Sequence, residues 1–262
     1  MEDGDRRMVE EVGVALKKLP WCGGISSFPK HMEITDLWRF LGPRWLSNEN
    51  EDVLMHLLRY ELDSAGCTGV ELANESGLFA KKLIQAYHTH KTATDQADTY
   101  AYSRGFQWIR KIGHALAMHK CRHLAALANL TENHWIAILV DVDKHTIRYG
   151  DSMGSWCNMD AELKAALRWW TQFHTGYDFT ITDLPITEQP AGDGYPCGLL
   201  SWNALEAYLL GNPDLLVDKR KLMIERFCAF LRVINIHNDQ VSISSVILLK
   251  VAHLTSVISN HQ

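Results

Sequence analysis

A thiol stands where a glycine-rich turn meets an apolar run in EQPAGDGYPCGLLSWNALEAYLLGNP: Cys197, preceded by Pro196, with Gln189 further upstream. Two readings compete for it. A free cysteine is a small hydrophobe and is often simply buried. A nucleophile instead needs an ionisable thiol, a neighbouring base and donors for a developing oxyanion. A helix start favours a thiolate, because its first backbone N–H groups carry partial positive charge. Pro196 suits a first helical turn, where its missing N–H is not needed. Gly194 and Gly198 let backbone approach a substrate closely.

The base is sought in NHWIAILVDVDKHTIRYGDS. His134 stands at the edge of an apolar run, and Asp151 closes the next run after a reversal at Asp143 to His145. Antiparallel pairing brings the start of one strand beside the end of its partner. That places the Asp151 carboxylate where it can orient the His134 imidazole. A strand-edge histidine and a turn aspartate are also common without any catalytic duty, so the pairing alone leaves both readings open.

The elements that must hold these groups are legible in outline. Residues 1 to about 30 read as peripheral, a charged start followed by the loop-like PWCGGISSFP. A short helix from Glu33, a break at Gly42-Pro43 and a longer helix from Asn48 follow, with Leu54, Leu57, Leu58 and Leu62 at helical spacing. Residues 76 to 120 read as helix and loop. HLAALANL, WIAILVDV and TIRYGDS then read as adjacent strands. Ile136 to Val140 is apolar without alternation, as in a central strand covered on both faces. DAELKAALRWWTQF reads as a helix capped by Asp160, and YDFTITDLPI as a half-buried strand. Two last helices run from Cys197 to Leu210 and across Lys219 to Ile236. With no internal repeat, the chain reads as a single α+β catalytic domain over residues 33–262 behind a peripheral segment, 1–32.

Composition narrows the function classes. The 262 residues are 47% hydrophobic and carry a formal charge of −5, with a pI near 6.2. That argues against a generic nucleic-acid binder. Lys219, Arg220 and Lys221 read as a solvated helix start. Six scattered cysteines without a C-x-x-C pair suggest neither a zinc ribbon nor a disulfide framework, and fit a reducing nuclear or cytoplasmic compartment. His114, His119, Cys121 and His123 match no common zinc spacing, so neither a metal nor another cofactor is expected. The charged first twenty residues are unlike a signal peptide. VSISSVILLKVAHLTSVIS, broken by Ser, Lys250 and His253, is a poor membrane span. A soluble protein without membrane or nucleic-acid partners is expected.

Taken together, His134-Trp135, Asp151-Ser152, Gln189 and Cys197-Gly198 resemble the Ulp-type SUMO proteases, cysteine peptidases of the adenain-like group. WLSNENEDVLMHLL, from Trp45, looks like their N-terminal Trp-Leu motif and the helix after it. The resemblance covers roughly Glu33 to Leu210. It implies a papain-like, adenain-like fold with a central mixed sheet flanked by helices. It also implies roles: Cys197 as nucleophile, His134 as base and then acid, and Asp151 holding its tautomer. Gln189 would donate to the oxyanion, and Trp45 and Trp135 would close a narrow tunnel over a substrate's Gly-Gly tail. The implied partner is a ubiquitin-like modifier, SUMO-like first, or its conjugates. Three departures stand out: Asn48 replaces the usual Asp, Pro196 replaces a polar residue before the cysteine, and the loop from Gln189 to Cys197 is long.

Two alternatives belong to other classes. A non-catalytic binder of a ubiquitin-like protein has no need to keep all four of His134, Asp151, Gln189 and Cys197. An acyltransferase on a related fold typically carries Glu as the third member, so Asp151 favours hydrolysis.

Overall fold

Trp135–Asp141 is buried along its whole length, as an apolar run without alternation requires of a strand covered on both faces. In the computed structural model, which describes residues 3–25, 32–73, 77–92, 99–129, 134–154 and 159–239, it is the middle strand of a five-stranded sheet. The strands are β1 (Val70–Ala73), β2 (His123–Asn129), β3 (Trp135–Asp141), β4 (Thr146–Gly150) and β5 (Thr180–Asp183), and they lie side by side in that order. β1 runs parallel to β2 and β5 parallel to β4, while the three inner strands are antiparallel. The sheet is therefore mixed, and the fold is α+β as expected.

Register sets which residues meet at the strand ends. β3 and β4 pair Asp141 with Thr146 and Ala137 with Gly150. The reversal between them closes with the His145 N–H on the Val142 carbonyl, His145 taking a left-handed φ of 49°. One residue beyond Gly150, Asp151 therefore arrives beside the start of β3.

Helices cover both faces. α2 (Asn48–Ser64) begins where the sequence indicates, with Ser47 and Asn50 forming a reciprocal capping box. α3 (Leu78–Thr92), α4 (Gln107–Ala117) and α5 (Ala161–Thr175) pack together. They share one apolar core with Ala126, Ala128, Ile136, Ile138 and Val140 of the sheet. Asp160 caps α5 by accepting the Leu163 N–H at 2.9 Å. Gly176, at φ 78°, ends it in the left-handed conformation that glycine adopts without strain. α6 (Cys197–Leu209) lies on β3 and β2, with α2 packed against it. Because the even-numbered residues of β2 and β3 face the α3–α5 core, α6 covers the opposite face.

Two units divide the chain, Pro43–Leu222 and a smaller one made of Met1–Gly42 with Met223–Gln262. The larger holds the whole sheet and α2 to α6. In the smaller, α1 (Asp3–Lys18) is a helix where the sequence reading saw only a charged start. A 3-10 helix spans Ile34–Leu41, and residues 223–239 are helical. The buried Arg226 guanidinium donates to the Arg39 carbonyl there. β1 also escaped the sequence reading, since four residues are too few to show a period. Residues 241–259, the poor membrane span, lie outside the described residues. No helix among those described is long and apolar enough to cross a membrane. Arg220 pairs with Asp218 at the exposed start of the last helix.

A polar knot sits inside the α3–α5 core. Trp170 donates its indole N–H to the Tyr100 hydroxyl at 2.8 Å, and that hydroxyl lies 2.7 Å from His174 Nε2. With its oxygen already accepting from Trp170, Tyr100 donates to Nε2, which assigns His174 the neutral Nδ1–H tautomer. Burial first, then the charges of His114 and Arg110, push the His174 pKa down to about 4. In the unfolded chain the same ring titrates near 6.5. Between these values the unfolded state binds the extra proton, so stability is full above pH 6.5 and falls as pH drops toward 4. Denaturant titrations at pH 7 and pH 4.5 should differ by up to about 3 kcal/mol from this group. His174→Gln should flatten that difference.

Candidate active site

The imidazole and the carboxylate meet as the register demands. His134 Nε2 and Asp151 Oδ1 are 2.7 Å apart. Asp151 receives two further donors, the Met153 N–H on Oδ1 at 2.8 Å and the Tyr149 hydroxyl on Oδ2 at 3.1 Å. Burial alone would raise its pKa, but the bonds from His134, Met153 and Tyr149 outweigh burial and hold it below the usual carboxylate value. Sequence reasoning missed Tyr149. The signal was present, since strand residues two apart face the same way.

The Cys197 thiol acts on the same ring. The His134 pKa is raised to about 9, first by its hydrogen bond to Asp151, second by its hydrogen bond to Cys197, against the lowering effect of burial. Three groups from three segments therefore form one chain of contacts: Asp151 after β4, His134 before β3, and Cys197 at the first position of α6.

Cys197 is 3% exposed, and its Sγ lies 3.9 Å from the Gly194 carbonyl. Pro196 is the N-cap of α6 rather than a residue of its first turn, and its carbonyl accepts the Leu200 N–H. One turn along, Ser201 donates to the Trp135 carbonyl at 3.1 Å, pinning α6 to the start of β3. Of the two glycines expected to admit substrate backbone, Gly198 also makes room for a side chain of the protein, while Gly194 has only ordinary packing beside it. A Cβ on Gly198 would fall 1.8 Å from Glu51 Oε1, and one on Gly194 would fall 3.5 Å from Trp45 Nε1.

Trp45, Trp135 and Cys197 line one cleft of about 270 Å³, together with Asn48, Glu49, Asn129 and Tyr195. Trp45 is 45% exposed and Trp135 only 4%. The Trp135 ring is wedged against Gly77, where a Cβ would come within 2.9 Å of it. Gly77 also has φ 68°, so its lack of a side chain is required twice over. Neither Tyr195 nor Gly77 carries a sequence signal of its role.

Gln189 joins this constellation from the Asp151 side. Its Oε1 accepts the Ser152 hydroxyl at 2.9 Å, and its Nε2 donates to the Asp193 carbonyl at 2.7 Å. It lines a neighbouring cleft of about 520 Å³ with Ser152, Met153 and residues 190–192, not the cleft that holds Cys197. The histidine-rich stretch stays apart. His114 packs on the His174 ring, while His119 and His123 lie near Asp143 and Asp141. Among the described residues, no three His, Cys, Asp or Glu side chains gather as metal ligands.

The model of the Ulp1 protease family, C-terminal catalytic domain, matches residues 44–175, half of the chain. The chain belongs to the Ulp1 protease family. It is thereby a cysteine-type peptidase. The matched span contains Trp45, His134, Trp135 and Asp151, while Gln189 and Cys197 lie beyond it. No curated protein sequence matches the chain. Among solved structures, the SUMO protease Ulp1 with its catalytic cysteine oxidised to a sulfonic acid is similar at 20% identity and TM-score 0.60, over 90% of this chain and 97% of that one. The C-terminal Ulp1 protease domain in complex with Smt3, the yeast ortholog of SUMO, is similar at 18% identity and TM-score 0.56, over the same shares. The Chaetomium thermophilum Ulp1-like SUMO protease catalytic domain gives 14% identity and TM-score 0.63, over 90% of each chain. At these identities the likeness is one of fold, and it is the fold that the sequence resemblance implied.

The geometry fixes a titration. In this Ulp1-family chain His134 should hold its proton up to about pH 9 rather than 6.5. A group raised on folding stabilises the native state fully below its unfolded value and loses that contribution as pH rises through its folded one. The window is therefore pH 6.5 to 9. Asp151→Asn removes the largest cause, so the ring's NMR titration should move more than one pH unit toward acid. An unmoved titration would mean that the contact is not made in solution.

Proposed function

We propose that the protein is a thiol isopeptidase and processing peptidase that cleaves after the Gly-Gly tail of a ubiquitin-like modifier, a SUMO-like one in the first place. The observation that carries the reading is the continuous contact from Asp151 through His134 to Cys197. An imidazole held by a carboxylate and acting on a thiol can take the thiol's proton, which nucleophilic attack by sulfur requires. The similar solved structures are described as SUMO proteases, one of them bound to Smt3, and this supports the choice of modifier.

In this reading the Cys197 sulfur attacks the carbonyl carbon of the terminal glycine. The oxyanion accepts from the Cys197 backbone N–H and from the Gln189 carboxamide. His134 gives its proton to the departing amine, which leaves a thioester on Cys197. A water molecule then loses a proton to His134, adds to the thioester carbonyl, and releases the modifier's carboxylate. Trp45 and Trp135 flank the approach to the sulfur, and flat aromatic walls admit a glycine pair while excluding side chains. Residues 33–262 are assigned to the catalytic domain with 1–32 peripheral, and the site of action to the nucleus or cytoplasm.

Probes made of SUMO, ubiquitin or related modifiers with an electrophile in place of the terminal carboxylate test this directly. The folded protein should label with at least one, SUMO foremost, and Cys197→Ala should abolish labelling. His134→Ala should slow it at least about a hundredfold, the loss of a general base. Tight binding without labelling by any probe would replace the reading with a non-catalytic binder.

A further inference from the structure

We propose that Ser152 is a positioning residue that holds the Gln189 carboxamide in the orientation an oxyanion donor needs, tying it to the loop that carries Asp151. This rests on the reading of Gln189 as that donor. Ser152 follows the candidate carboxylate in sequence, and its side chain does not touch the imidazole–thiol chain of contacts. It is nonetheless 2% exposed, and it grips Gln189 twice. Its hydroxyl donates to Gln189 Oε1 at 2.9 Å, and its carbonyl accepts the Gln189 backbone N–H at 3.0 Å.

The arrangement removes the ambiguity of a carboxamide. The Asp193 carbonyl can only accept, so the NH2 group must face it, at 2.7 Å. The opposite edge is then the oxygen, and Ser152 supplies its donor. With both edges fixed, one amide N–H points at Asp193, and in the donor reading the second serves the oxyanion. The terminal torsion of a glutamine is broad and weakly restrained by itself. Deleting the Ser152 hydroxyl therefore frees the amide to turn, and it strips a partly buried acceptor of its partner. Misplacement of a donor by a fraction of an ångström shows in the rate and not in the binding of the ground state.

The test is a double-mutant cycle of Ser152→Ala, Gln189→Ala and the pair, assayed on a modifier whose C-terminal glycine carries a fluorogenic amine. The modifier is the one whose electrophilic probe labels Cys197. Ser152→Ala should lower kcat about tenfold with KM unchanged. In the Gln189→Ala background the same substitution should change kcat less than about twofold. Two readouts separate positioning from general damage: alkylation of Cys197 by iodoacetamide, which forms no oxyanion, and the His134 titration. Both should stay as in the wild type. Ser152→Thr, which keeps the hydroxyl, should return kcat to within about threefold of wild type if the oxygen is what matters. An equal tenfold loss in the Gln189→Ala background, or a shifted His134 titration, would show that Ser152 acts through Asp151 and overturn the proposal. Wild-type activity in Gln189→Ala alone would overturn the donor reading itself, and this proposal with it.

Discussion

The site depends on keeping one largely buried carboxylate ionised. Asp151 loses hydration on folding, a cost that would by itself favour the neutral acid. Three donors offset it: a ring N–H, a backbone N–H and a phenol, arriving from a different strand, the next turn and the same strand face. The carboxylate in turn keeps a proton on His134, and the protonated ring faces sulfur. Loosening any of the three donors would therefore be felt at the thiol, two groups away.

The elements around that carboxylate converge on the strand end where it sits. The β3–β4 register delivers Asp151 beside His134. The Ser201 bond to the Trp135 carbonyl ties α6, and so its first residue, to the same strand end. The tightness of this packing requires glycine at two positions. Gly198 lets the buried Glu51 side chain lie against the first turn of α6, and Gly77 makes room for the edge of the Trp135 ring and for the Asn129 backbone. A cleft bordered by one exposed and one buried indole is the outcome, with the thiol at its base.

Much of this is legible in the residues because its period or chemistry is local. The unalternating run of β3, the capping box at Ser47 and the Asp160 cap each announce themselves within a few positions. The His134–Asp151 contact is also readable, because a hairpin reversal turns sequence distance into adjacency. The parts that are not legible depend on tertiary partners. β1 has four residues and gains its identity only by pairing with β2. The charged face of α1 hides a helix, since helical segments rich in solvated residues resemble loops in composition. The reason for Gly198 lies on another helix, and the orientation of Gln189 is set by a loop carbonyl and by a serine on a different strand end.

The order in which the parts leave the ribosome has a consequence of its own. The imidazole–carboxylate pair spans a separation of 17 residues within one hairpin, whereas the thiol follows after α5 and β5. A growing chain thus carries the imidazole and the carboxylate well before it carries Cys197. When Cys197 does emerge, the docking of α6 on the sheet is what brings it to the strand end that holds His134. The meeting of that thiol with the imidazole is therefore a property of the finished fold. For the same reason, the appearance of thiol reactivity during refolding would time the docking of α6.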